Sequence, residues 1–282
     1  MVLLYLSVVV QENIKMVNAY YYDGNQYIPR TQGDSSKGFI LASLASSAIM
    51  GTLPAFSKPF SSQLVKEHQQ NDLYKKAFEQ SINIAGLDKK GVQIIPAQFL
   101  RDKSDVCCGQ NAYYMPKTKQ IVINTDKISI AGFHEAGHAL NDLKGKWGKV
   151  LSKMRWPGRA VAGLMGYVAL FQRTKPKEAP KDRTDFLKDN CGNIAFLSML
   201  PTVFEEGMAS YKGVKLARKT GLAEPMIKNM KKLYTKALLT YVGHAIATGL
   251  AVGAASVIMD YFSRPKIINS SNIFIDEEFF KK

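Results

Sequence analysis

Cysteine, histidine and acidic side chains are all scarce in this chain of 282 residues. There are three cysteines, two of them adjacent at Cys107 and Cys108. Adjacent cysteines bridge each other only with strain, so no disulfide framework is expected and a reducing compartment fits. Cys-x-x-Cys spacing is missing, which argues against a cysteine-held zinc. Asp and Glu number 23 against 38 Lys and Arg, giving a formal net charge of +15. Such an excess suits nucleic acid, anionic lipid or an acidic partner. No nucleic-acid motif accompanies it, and the basic residues flank apolar runs. Nucleic acid is therefore not expected as a partner, whereas an anionic membrane surface is. No basic residue precedes the apolar residues 2–10, and Val17-Asn18-Ala19 is a poor cleavage site. Residues 1–15 read either as a weak signal peptide or as residues ahead of a true start at Met16.

Of only four histidines, two fall in Phe133-His134-Glu135-Ala136-Gly137-His138-Ala139-Leu140. On a helix, His134 and His138 lie one turn apart on one face. Two imidazoles so placed can bind one Zn²⁺, with Glu135 beside the ion but not bound to it, free to take a proton from water. The neighbours Ala131, Gly132, Ala136, Gly137 and Ala139 are small and uncharged, which predicts a buried helix. Two unpaired histidines and a glutamate would be costly there, and a metal removes the cost. Ser129 or Thr125 is placed to cap this helix.

The chain around the motif alternates apolar and basic stretches. Residues 1–37 read as a poorly ordered arm rich in Tyr, Asn, Gly and Ser. Residues 38–57 carry no charge and are just long enough to span a bilayer or to form a buried helix. Residues 61–86 have helical periodicity, with Gly86 placed to end the helix. Three strands follow, at residues 91–96, 112–116 and 120–124, predicting a small antiparallel sheet just ahead of the motif helix. Either 111–115 or 120–124 is the candidate edge for pairing with a peptide.

After a basic run that includes Lys149, Lys153, Arg155 and Arg159, residues 160–172 read as an interfacial or re-entrant insertion. Residues 173–188 read as a solvated loop. Residues 190–204 are a second apolar insertion, running into Glu205 and Glu206. Residues 221–262 combine the end of a basic amphipathic region with the expected transmembrane segment, residues 237–259, in which Gly249-x-x-x-Gly253 favours close helix packing. Residues 263–282 read as an exposed tail. His244 reads as a packing residue and not a ligand.

With Glu206-x-x-Ala209-Ser210 downstream of the histidines, the chain resembles the membrane-associated gluzincins. These comprise the neutral zinc metallopeptidases and the heat-shock and prenyl-protein membrane proteases. The resemblance covers residues 91–220, within a domain expected at 58–220. It implies a mainly α, α+β fold with a zincin-like core and membrane-embedded helices. It also implies one zinc ion and a membrane location with the site facing the cytoplasm. Protein or peptide substrates are implied too. Aligned on the family pattern, Glu206 is the third ligand, with Glu205 as the alternative. Ser210 stands where many relatives have an Asp that supports a histidine ligand. The expected function is a zinc-dependent endopeptidase with Glu135 as general base. The alternative is a non-catalytic membrane protein with a structural or vestigial metal site. Tyr211 and Tyr113 are considered as oxyanion donors, and neither is assigned.

Overall fold

The computed structural model describes residues 20–22, 27–31, 35–52, 71–96, 112–123, 130–172, 183–263 and 266–267. The strands are β1 (Tyr20–Tyr22), β2 (Tyr27–Thr31), β3 (Gln93–Pro96), β4 (Tyr113–Met115), β5 (Gln120–Ile123) and β6 (Lys266–Ile267). The α-helices are α1 (Ser35–Gly51), α2 (Asn71–Ala85), α3 (Ile130–Lys144), α4 (Lys146–Phe171), α5 (Arg183–Asp189), α6 (Cys191–Lys219) and α7 (Glu224–Ser263). The fold is mainly helical, with a small mixed sheet of order β3-β5-β4 beside the motif helix α3. The strands β1, β2 and β6 form a separate antiparallel set.

Two apolar cores share three long helices. The first joins α2, β5, α3, the last part of α6 and the first part of α7. It is built on large side chains such as Phe78, Phe133, Ile121, Leu233 and Met230. Phe78 and Phe133 meet edge to face at 5.7 Å, and burying either ring contributes about 1.5–3 kcal/mol. The second core joins α1 with the later part of α4, the early part of α6 and the later part of α7. Small residues dominate it, among them Ala42, Ala162, Ala195, Ala245 and Ala255. The large apolar side chains of these helices point outward instead, including Phe39, Leu44, Leu164, Leu197, Leu250 and Val257.

Close backbone approach sets the distance between α3 and α6. A Cβ at Gly137 would run into the carbonyl of Ala209, and one at Gly213 would lie 2.6 Å from the carbonyl oxygen of Phe133. Glycine is the residue that lets two helices meet this closely. The same device joins α6 to α7, where a Cβ at Gly192 would lie 2.8 Å from the oxygen of Gly249.

Several sequence expectations need correction. The sheet is mixed, not antiparallel, because β3 pairs parallel with β5. Strand β5 takes the centre because Ile121, Val122 and Ile123 are all buried and profit from neighbours on both sides. It therefore offers no edge, whereas β4 does. Residues 160–172 are not a separate insertion but the apolar end of α4, continuous with the basic run through Pro157. Glu205 and Glu206 sit in mid-helix, not at a helix end, because α6 runs unbroken from Cys191 to Lys219. The solvated reading of residues 173–188 fails at its end. There α5 buries Lys188 against Asp260 at 2.7 Å and against the Gln172 carbonyl at 2.9 Å. Gly86 does end α2, with φ +56°. Among the described residues, α7 is the one helix long and apolar enough to cross a membrane. The expectations for residues 1–15, Thr125, Ser129, Cys107 and Cys108 lie outside the described residues, as do residues 53–70 and the tail from 268.

The glycine contact gives a direct test. Gly137→Ala should destabilise the protein by about 1–3 kcal/mol or more, because rigid backbone rather than a movable side chain opposes the new methyl group. Thermal unfolding of the variant reads this, and an unchanged melting temperature would mean that the two helices are not held at this distance.

Candidate metal centre

Helix α3 carries His134, Glu135 and His138, and α6 carries Glu205, Glu206 and Ser210 across the glycine contact. Three atoms converge between the helices. His134 Nε2 lies 3.0 Å from His138 Nε2, and Glu206 Oε2 lies 3.1 Å from the first and 3.5 Å from the second. His134, His138 and Glu206 form a group that could hold a metal ion. A tetrahedral ion with bonds of roughly 2.0–2.1 Å keeps its donors about 3.3–3.4 Å apart, which these separations approach.

The far side of each ring supports the same reading. His138 Nδ1 is 2.7 Å from Glu205 Oε1, and His134 Nδ1 is 3.1 Å from Ser210 Oγ. A proton placed on each Nδ1 leaves both Nε2 lone pairs aimed at one point, beside an anionic oxygen. A cation satisfies that arrangement, and outer partners of this kind fix the tautomer and orientation of ligand histidines. The sequence alternative is thereby resolved. Glu206 turns an oxygen to both Nε2 atoms, whereas Glu205 is directed to the opposite face of His138. Ser210 occupies the supporting position expected from the motif, though on His134, while a carboxylate supports His138.

Two partners were not legible in the sequence. Asn141 is fully buried, and its amide donates to Glu205 Oε1 at 3.0 Å and to the Glu205 carbonyl at 3.2 Å. Arg155, from α4, donates to Glu205 Oε2 at 2.9 Å and to Glu206 Oε1 at 2.7 Å. Asn141 could have been sought three residues after His138, on the motif's own face. Arg155 stands in a run of basic residues, and only its residue type, suited to two-pronged binding of carboxylates, sets it apart from the lysines there.

Glu135 is buried and lines a cavity of about 590 Å³ together with His134, His138, Arg155, Glu206, Tyr113 and Tyr241. Burial raises the Glu135 pKa, opposed by the charges of His138 and His134 and by a backbone hydrogen bond from Tyr114. Burial also disfavours charge on His138, yet the hydrogen bonds with Glu205 and Glu206 prevail and push its pKa up to about 10. Both α6 carboxyls are held below the ordinary range despite burial. His138 is the main cause for Glu205, and His134 and His138 for Glu206. Without a cation, then, these carboxylates recruit a proton to His138.

The surroundings are fixed by tyrosines. Tyr114 on β4 donates to Asp142 Oδ2 at 3.0 Å, which pins the sheet edge to α3. Tyr234 on α7 donates to the Ile130 carbonyl, and its ring lies 5.5 Å from that of His134. Tyr113 also faces the cavity, but Tyr211 is 69% exposed and does not line it. No family model, curated protein or solved structure matches the chain.

Proton linkage tests the centre. A ligand histidine must be neutral, so a divalent cation added to metal-free protein at pH 7 should displace the proton on His138. Affinity should rise with pH up to about 10. Glu206→Ala should abolish binding, and Glu205→Gln should weaken it roughly 10–100-fold. Calorimetry in buffers of differing ionisation enthalpy counts the protons. Equal losses in the two variants would contradict the division of roles between the glutamates.

Proposed function

We propose that the chain is a zinc-dependent endopeptidase acting on protein or peptide substrates at a membrane. One observation carries this reading. Three donors converge from two helices, while Glu135, one residue from a ligand, lines the same open cavity and takes no part in the donor set. Two imidazoles and one carboxylate are a zinc donor set, and catalytic zinc sites keep a position beyond three protein ligands. The resemblance to membrane-associated gluzincins rests on His134, Glu135, His138 and the Glu206-x-x-Ala209-Ser210 run.

His134, His138 and Glu206 would hold the ion, which supplies Lewis acidity, acidifying a water and polarising an amide carbonyl. Glu135 accepts the proton of the attacking water and passes it to the leaving amine. Its surroundings suit a base that must also act as an acid, since burial favours its protonated form and the histidines its ionised form. Strand β4 runs along the cavity as a sheet edge, with Tyr113, Tyr114 and Pro116 on the wall. An extended substrate pairs there by main-chain hydrogen bonds, which selects for unfolded or flexible polypeptide.

Membrane placement draws on α7 and on the inverted core. Small residues inside and large apolar residues outside are the arrangement of helices packed in lipid, where close backbone contact and not water exclusion drives association. Active-site access from the cytoplasm belongs to the resemblance alone. The rival, a structural metal site, needs a closed ligand set. Among the described residues three donors converge, with a cavity beside them.

Glu135→Gln separates binding from chemistry. The variant should retain zinc while hydrolysis of a fluorogenic peptide falls by roughly 10²–10⁴-fold, the usual contribution of a general base. Cleavage by this variant at the wild-type rate would refute the mechanism.

A further inference from the structure

We infer that Arg155 is a positioning residue that sorts the two adjacent glutamates of α6, making Glu206 a one-oxygen ligand and keeping Glu205 off the metal. The inference rests on the metal-centre reading above. Consecutive residues on a helix point about 100° apart, so Glu205 and Glu206 approach the histidines from different sides. Nothing in their own chemistry decides which will bind a cation. Both are buried, both are carboxylates, and His138 offers a nitrogen to each.

Arg155 breaks this symmetry atom by atom. One guanidinium nitrogen takes Glu205 Oε2 at 2.9 Å, leaving Oε1 for His138 Nδ1 and Asn141. The other takes Glu206 Oε1 at 2.7 Å, leaving Oε2 for the two Nε2 atoms. Each carboxylate thus has one oxygen committed to the fork and one directed at a histidine. With Oε1 of Glu206 held, two-oxygen ligation is blocked. With Oε2 of Glu205 held, its carboxylate cannot rotate towards the ion. Lysine cannot do this, since a point charge lacks two parallel donors.

Charge balance gives Arg155 a second reason to be there. A divalent cation and one guanidinium offset the three buried carboxylates of Glu135, Glu205 and Glu206 while both histidines stay neutral. Removing Arg155 leaves a surplus negative charge in a site mostly closed to water, where an unpaired carboxylate is costly.

The test uses the full chain in detergent, with zinc affinity read by chelator competition and ligation read from the absorption spectrum of the cobalt-substituted protein. Arg155→Met should weaken zinc roughly 10–100-fold, as loss of an outer partner does. It should also change the cobalt spectrum as a carboxylate gains or changes ligation. Arg155→Lys keeps the charge and should recover part of the affinity but not the spectrum. Should Arg155→Met fail to fold, Arg155→Lys alone decides through its spectrum. Wild-type affinity and spectrum in both variants would overturn the inference while leaving the peptidase reading intact. Zinc binding by wild-type protein without peptide hydrolysis would do the reverse. A changed spectrum with unchanged affinity would still support sorting, because affinity reports charge whereas the spectrum reports which oxygens bind.

Discussion

Contact between two backbones governs this molecule. Helices α3 and α6 touch where Gly137 meets Ala209 and where Gly213 meets Phe133. At ordinary helix spacing of 8–10 Å, side chains would fill the gap and the glutamates would stand off from the imidazoles. Glycine removes the spacer, so short carboxylate arms on one helix reach both nitrogens of a ring on the other. The small residues inside the His-Glu-x-x-His stretch therefore matter for geometry as much as for burial. Gly137 lies within the motif because the face that binds a cation is next to the face that must touch its partner.

Buried charge then dictates what else the site contains. Three carboxylates enclosed among apolar residues require positive charge nearby. Arg155 supplies a fixed part, and a divalent cation would supply the rest. In the absence of the cation, His138 can take up a proton, since Glu205 and Glu206 raise its pKa to about 10. The centre is thus neutralised either way, by a metal or by protons, and the two compete. That competition explains how such a dense acidic cluster can exist in a folded chain before any metal arrives.

Local chemistry was legible in the sequence and long-range partnership was not. The motif helix, the three strands, Gly86 and the preference for Glu206 could all be read from spacing, residue type or resemblance, because each depends on neighbours along the chain. Arg155 could not, because its partners lie fifty and fifty-one residues away and nothing in a run of basic residues marks the one that turns inward. The parallel pairing of β3 with β5 escaped notice for a related reason. Short apolar strands fix which strand is central only once their burial is known. The long helices were read as fragments because charge changes along α4, α6 and α7, and a helix passing from one environment to another keeps its backbone while its composition switches.

That switch locates the site. In α6 the small-residue core ends near Met199 and the large-residue core resumes at Gly213 and Val214, with Glu205 and Glu206 between them. In α7 the large-residue core ends at Tyr234 and the small-residue core begins at Ala245, with Ala237, Thr240 and Tyr241 on the cavity wall between. In α4 the small-residue core begins at Ala162, and Arg155 lies just before it. All three helices therefore bring their polar residues inward at one level, the seam between the two cores. A seam is where neither packing rule is satisfied, so polar groups can be buried there at least cost, provided that they satisfy one another. Because Arg155 and the glutamates belong to helices whose other ends pack in the small-residue bundle, a shift in that bundle must move the fork relative to the histidines. The geometry of the centre is consequently coupled to the packing of the part that faces lipid in the proposed arrangement.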